Sequence, residues 1–186
     1  MPSRPDGLVQ DVLGLLAEAE MQAFAFKRAT GIDCPSGCGD CCRDHHPEDS
    51  VLAALPAARW ALERGWEEQL VIAAREASDG PCVFYDGERG GHCAVYPLRP
   101  LICRLFGYAA GRDKHGQIAY RPCRRMVGTA HAGPLPPVYV DLAQRLEQRH
   151  PPLGNRHLPL NQAFLEAAAW LSLRLPRPRA PRGRAA

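Results

Sequence analysis

Four cysteines crowd into nine positions, Cys34-Pro-Ser-Gly-Cys38-Gly-Asp-Cys41-Cys42, and four more follow singly at Cys82, Cys93, Cys103 and Cys123. Thiols at this density have three possible partners: each other, a metal or a substrate. A disulfide framework fits poorly, because the chain is long enough to build its own core and adjacent Cys41 and Cys42 would bridge only through a strained turn. Metal fits better. Gaps of two or three residues let one turn present several sulfurs to one ion, and Gly37 and Gly39 give the backbone around Cys38 freedom to curl. Thiolates are soft ligands that suit zinc and iron–sulfur clusters alike. A structural zinc contributes roughly 10–16 kcal/mol in small peptides, against roughly 5–15 kcal/mol for a whole domain, so a metal here would be part of the fold. Eight thiols make two four-thiolate sites, or one site with spare or bridging ligands, and spacing alone does not pair them. Cys41 and Cys42, read as an extended segment, would point to opposite sides, which favours two sites.

Neighbouring residues extend this chemistry. Arg99 and Arg104 bracket Cys103. Their N–H groups would donate to thiolates or to an anionic cluster and raise its reduction potential; the competing role is pairing with the acidic residues. Pro100 biases Arg99 toward an extended conformation. Tyr96 is expected to pack its ring on the cysteine nest and use its hydroxyl as a hydrogen bonder. Arg99, Arg104 and Tyr96 are therefore the cofactor-contacting candidates beside the eight cysteine ligands. His45 and His92 offer imidazoles that zinc accepts, though eight thiols make them unnecessary, and His46, before Pro47, reads as solvent-facing. Asp40 and Asp44 flank the double cysteine; carboxylates beside thiols raise thiol pKa, so both read as turn or cap residues. The phosphate-binding loop, the dinucleotide fingerprint, the serine nucleophile elbow and the C-x-x-C-H haem motif are all missing.

The elements that must position these groups read mainly as helices. Asp6 is placed to cap a helix running to about Ala29, with Gly31 as its stop, and Leu8, Val12, Leu15, Leu16, Ala19, Ala23 and Phe26 share one face. Residues 50–64 read as one broken helix or two short ones, with Pro56 in a first turn and Gly65 as the stop. Another helix is expected over 67–77. Cys82–Tyr85 and Cys93–Tyr96 are short β-like runs around a glycine-rich turn, a hairpin signature, and a second hairpin is expected over 106–121, turning at Asp113–Gly116. Helices over 137–148 and 160–173 follow, separated by Pro151-Pro152. Residues 176–186 contain nothing apolar larger than alanine or proline and are expected to be a disordered Arg/Pro tail.

Hydrophobic content of 46% and charged content of 23% are ordinary globular values. Removing Arg174, Arg177, Arg179, Arg182 and Arg184 takes the formal charge from +3 to −2, so the body lacks the basic excess of a nucleic-acid binder and no specific nucleic acid is expected. The first residues hold no secretory apolar stretch, and no apolar run reaches the roughly 18 residues of a membrane span. The expected location is a reducing cytoplasm.

The C-x3-C-x2-C spacing of Cys34, Cys38 and Cys41 is similar to that of radical SAM enzymes, but alternating βα units are missing here. A longer match runs through Gly37-Cys38-Gly-Asp-Cys41-Cys42, Cys82-Val-Phe-Tyr85, Gly91-His-Cys93-Ala-Val-Tyr96 and Arg99-Pro-Leu-Ile-Cys103-Arg104. Over about residues 30–125 the chain resembles the YkgJ-type cysteine-cluster family, described as zinc- or iron-chelating, with a C-x2-C-x2-C-C signature. Here the first gap holds three residues instead of two. The resemblance implies that Cys38, Cys41, Cys42, Cys82, Cys93 and Cys103 are ligands, with Cys34 and Cys123 added. That family in part resembles flagellin lysine methylases, which keeps a SAM-dependent or redox enzyme as an alternative. The expectation is a small helix-rich α+β domain over 6–175, with two short β-hairpins around a cysteine-held metal site. It would carry an iron–sulfur cluster, 4Fe–4S favoured, or zinc, in a redox or metal-handling role; a zinc-stapled interaction module is the further alternative. A protein partner is not legible.

Overall fold

The computed structural model describes residues 5–43, 47–76, 80–88, 92–126 and 135–175. Its helices are α1 (Pro5–Thr30), α2 (Asp40–Arg43), α3 (Val51–Glu63), α4 (Glu67–Arg75), α5 (Leu101–Leu105), α6 (Tyr139–Glu147), α7 (Pro151–Gly154) and α8 (Leu160–Ser172). Three two-stranded antiparallel sheets complete it: β1 (Glu48–Ser50) with β6 (His157–Pro159), β2 (Tyr85–Asp86) with β3 (His92–Cys93), and β4 (Ala110–Arg112) with β5 (Ile118–Tyr120). This is the small helix-rich α+β domain expected, with both predicted hairpins present. The β1–β6 sheet joins segments over a hundred residues apart. No helix among the described residues is long and apolar enough to cross a membrane.

The core is made by α3, α8 and α1. Leu52, Ala53, Ala54, Leu55, Ala57, Ala58 and Ala61 are fully buried, and alanines let α3 lie close against Ala163, Phe164, Ala167 and Leu171 of α8. Ser50 caps α3 by accepting the N–H of Ala53 at 3.1 Å. Two expectations are corrected here. Pro56 lies inside one continuous helix, where it removes a backbone bond, because residues 51–58 are all buried and their packing outweighs that loss. Asp6 lies within the first turn of α1 and pairs with Arg59 of α3, while Pro5 takes the first helical position that suits proline. Pro151-Pro152 also opens the short helix α7 where a plain break was expected.

An aromatic cluster closes the lower side of the core. Phe84 meets Phe164 edge-on at 4.8 Å, stacks on Trp66 at 5.9 Å and meets Trp60 at 6.0 Å. Phe84 follows Cys82 by two residues, so this cluster seats the first hairpin on the helices. Residues 176–186, read as a tail, lie outside the described residues.

Candidate metal centre

The cysteines arrive from five places. Cys34 and Cys38 lie on the loop after α1, which ends where the Gly31 N–H bonds to the Lys27 carbonyl at 2.9 Å. Gly37 sits at φ +71°, a left-handed turn open to glycine, and the Cys38 N–H closes it on the Pro35 carbonyl at 3.1 Å. Cys41 and Cys42 occupy α2. This corrects the extended reading: successive residues on a helix diverge by about 100°, so the two side chains are neighbours and not opposites. Cys82 and Cys93 stand on the first hairpin, where Tyr85 pairs with Cys93 and the Ala94 N–H reaches the Phe84 carbonyl at 2.8 Å. Cys103 lies on α5, and Cys123 follows the second hairpin.

All eight line one pocket of about 630 Å³, and all eight are free thiols. Tyr96, Arg99 and Arg104 line it too, as do Lys27, Asp40, Phe84, Tyr108 and Phe164. Among the described residues no three cysteine, histidine or carboxylate groups already converge as ligands of one ion. The sulfurs ring a hollow, and side-chain rotation is what would bring them to a common centre. His45, His46, Asp44 and the side chain of His92 lie outside the described residues.

Four polar side chains hold this frame, of which Asn161, Asp49 and Asp40 are buried and Asp33 is half-buried. Asn161 of α8 accepts the Val83 N–H at 2.9 Å and donates to the carbonyls of Pro81 at 3.0 Å and Ala73 at 3.3 Å, fixing the chain on both sides of Cys82. Asp49 of β1 accepts the N–H groups of Ile102 and Ser50, each at 2.8 Å, and so anchors α5 beneath Cys103. Asp33 accepts the Tyr108 hydroxyl at 2.9 Å and the Cys34 N–H at 2.8 Å, and pairs with Lys27 at 2.6 Å. Asp40, read as a turn or cap residue, is buried and pairs with Arg43 at 2.9 Å and with Arg125. An Asn inside an otherwise apolar helical face is a signal in the sequence; the partners of Asp33, Asp40 and Asp49 are set by tertiary contacts alone.

Arg99 and Arg104 both pair with Glu20. Arg104 is buried, and it donates to the Glu20 carboxylate and to the carbonyls of Arg99 and Pro97. It thus braces α1 against the turn before α5. Arg99 also reaches Glu20, at 3.2 Å, and lies 3.5 Å above the ring of Tyr96. Its charge favours the thiolate forms of Cys41 and Cys93. Tyr96, 56% exposed, stands at the rim of the pocket.

Five of the thiols ionise less readily in this setting, and Cys41 more readily. Burial pushes Cys82 up to about 12 and raises Cys93 and Cys103, with neighbouring sulfurs adding to each effect. Burial, then the hydrogen bond it shares with Cys38, pushes Cys34 up to about 12. Cys42 is raised by its hydrogen bond to Cys41 and by burial; the same bond, with the Arg99 charge assisting, brings Cys41 down to about 7. A nest of half-buried thiols, several of which lift one another's pKa, is what a cation resolves, because a metal supplies the counter-charge that lets several thiolates coexist. The donor set therefore fits a thiophilic metal.

Residues 33–124 match the CxxCxxCC family, described as a "putative zinc- or iron-chelating domain". The cysteine-bearing part of this chain belongs to that family. Its span takes in all eight cysteines, both hairpins and α2 to α5. No curated protein and no solved structure matches the chain. That description supports a metal cofactor, zinc or iron, for residues 33–124, which agrees with the donor set.

Proposed function

We propose that the domain, about residues 6–175, holds an iron–sulfur centre of the 4Fe–4S kind in its eight-cysteine pocket and acts in cytoplasmic metal handling or electron transfer. The observation that carries this reading is the pocket itself. A single structural zinc takes four sulfurs, whereas eight thiols here line one pocket of about 630 Å³. Cys34, Cys38, Cys41, Cys42, Cys82, Cys93, Cys103 and Cys123 are the ligand pool. A cluster would supply reversible one-electron chemistry. The chain supplies its surroundings: Arg99 places a cation near Cys41 and Cys93, Tyr96 and Arg99 form the rim, and Phe84 and Phe164 keep the inner wall apolar. A nearby cation stabilises the reduced, more negative state of a cluster and so raises its potential.

Anaerobic purification, followed by iron, sulfide and zinc analysis, tests the reading. A brown protein with iron and acid-labile sulfide in comparable amounts is expected. A colourless protein loaded with zinc would replace this reading with a zinc-stapled one, and a metal-free protein after reconstitution would remove both.

A further inference from the structure

Resting on the reading of these cysteines as metal ligands, we propose that the pocket is two adjacent four-thiolate sites, an inner one of Cys42, Cys82, Cys93 and Cys103 and an outer one of Cys34, Cys38, Cys41 and Cys123. The backbone draws the inner set together. The Cys82 N–H donates to the Cys42 carbonyl at 2.8 Å, the hairpin brings Cys93 beside that segment, and Asp49 and Asn161 fix α5 and the hairpin on the helical core.

The outer set is assembled by different contacts. The Cys34 N–H donates to the Tyr108 hydroxyl at 3.2 Å. The residue before that tyrosine, Gly107, has φ +80°, and a Cβ there would stand 3.0 Å from the Cβ of Cys123 and 2.7 Å from the Met126 sulfur. Cys34 and Cys123 thus both lie against one turn after α5. The Asp40–Arg125 pair clamps the Cys123 segment onto α2, and the turn at Gly37 folds Cys38 back toward Cys34. Cys41 stands where the two sets meet: it shares a hydrogen bond with Cys42 and faces Arg99. Binding a divalent ion to either set displaces up to four S–H protons to solvent and leaves a dianionic tetrathiolate.

Anaerobic titration of the full chain with cobalt(II), a coloured probe of tetrathiolate geometry, tests the partition. Wild type is expected to saturate at two equivalents. Cys82→Ser/Cys103→Ser and Cys34→Ser/Cys123→Ser are each expected to keep one, with the tetrahedral sulfur spectrum intact in both. Gly107→Ala, which keeps every thiol but crowds Cys123, is expected to halve uptake as the outer double variant does. Should the inner double variant unfold, the outer variant and Gly107→Ala decide alone. Saturation of wild type at one equivalent, or loss of both equivalents in the outer variant, would overturn the partition while leaving metal binding standing. A wild type that takes up no cobalt would remove the metal reading itself.

Discussion

The two halves of this molecule are held by different physics. In the helical half, α3, α8 and α1 bury leucine, alanine and phenylalanine against one another, and the hydrophobic effect is the main force there. In the cysteine half the elements are short: two-residue strands, helices of four and five residues, and loops tied by single hydrogen bonds. Its centre is a thiol-lined hollow. One half is closed by aliphatic and aromatic side chains and the other is lined by thiols, so stability and metal content are expected to separate under perturbation.

Metal removal tests that separation on the largest scale. Under strict anaerobic conditions a strong chelator is expected to speed amide exchange at Cys38, Cys82, Tyr85 and Ala94 by orders of magnitude while α3 and α8 keep their protection. Hydrogen exchange read by mass spectrometry checks this, and equal loss in both halves would erase the contrast.

A pair of core substitutions comes next. Leu55→Ala lies within the helical half and is expected to cost about 2–5 kcal/mol with metal content unchanged. Phe84 belongs to both halves, being buried among Trp60, Trp66 and Phe164 and lining the pocket. Phe84→Ala is expected to cost about 3–5 kcal/mol and to lower metal content as well. Denaturant unfolding and metal analysis of the two proteins read the difference.

Much of this division was legible in the sequence, and for a physical reason. Helical periodicity, the Gly31 and Gly65 stops and the glycine-rich turns are local, so α1, α3, α4, α6, α8 and both hairpins are readable from neighbours in the chain. The cysteine pool was readable because few other roles suit eight thiols. Pro56 misled because its effect on a helix depends on burial, which is tertiary. The β1–β6 pair was invisible because three-residue strands carry almost no pattern. Asp40 and Asp49 look like surface carboxylates until the fold supplies Arg125 and the Ile102 amide.

A smaller effect sits at the seam between the halves. Burial raises the Asp49 carboxyl to about 6 from 3.8, so the folded state keeps a proton that the unfolded chain releases. Stability from this group is greatest below the unfolded value and falls as pH rises through the folded one, by roughly 3 kcal/mol between about pH 4 and 6. Asp49→Asn lacks that titration, so wild type should lose about that much stability relative to the variant across the window. Parallel stability curves would place Asp49 outside the seam.

X-ray absorption at the metal edge of the anaerobically purified protein addresses the cysteine pocket most directly. An all-sulfur first shell, lost when the cysteines are replaced by serine, is the predicted result. A first shell of oxygen or nitrogen, or metal retained after all eight replacements, would contradict the account.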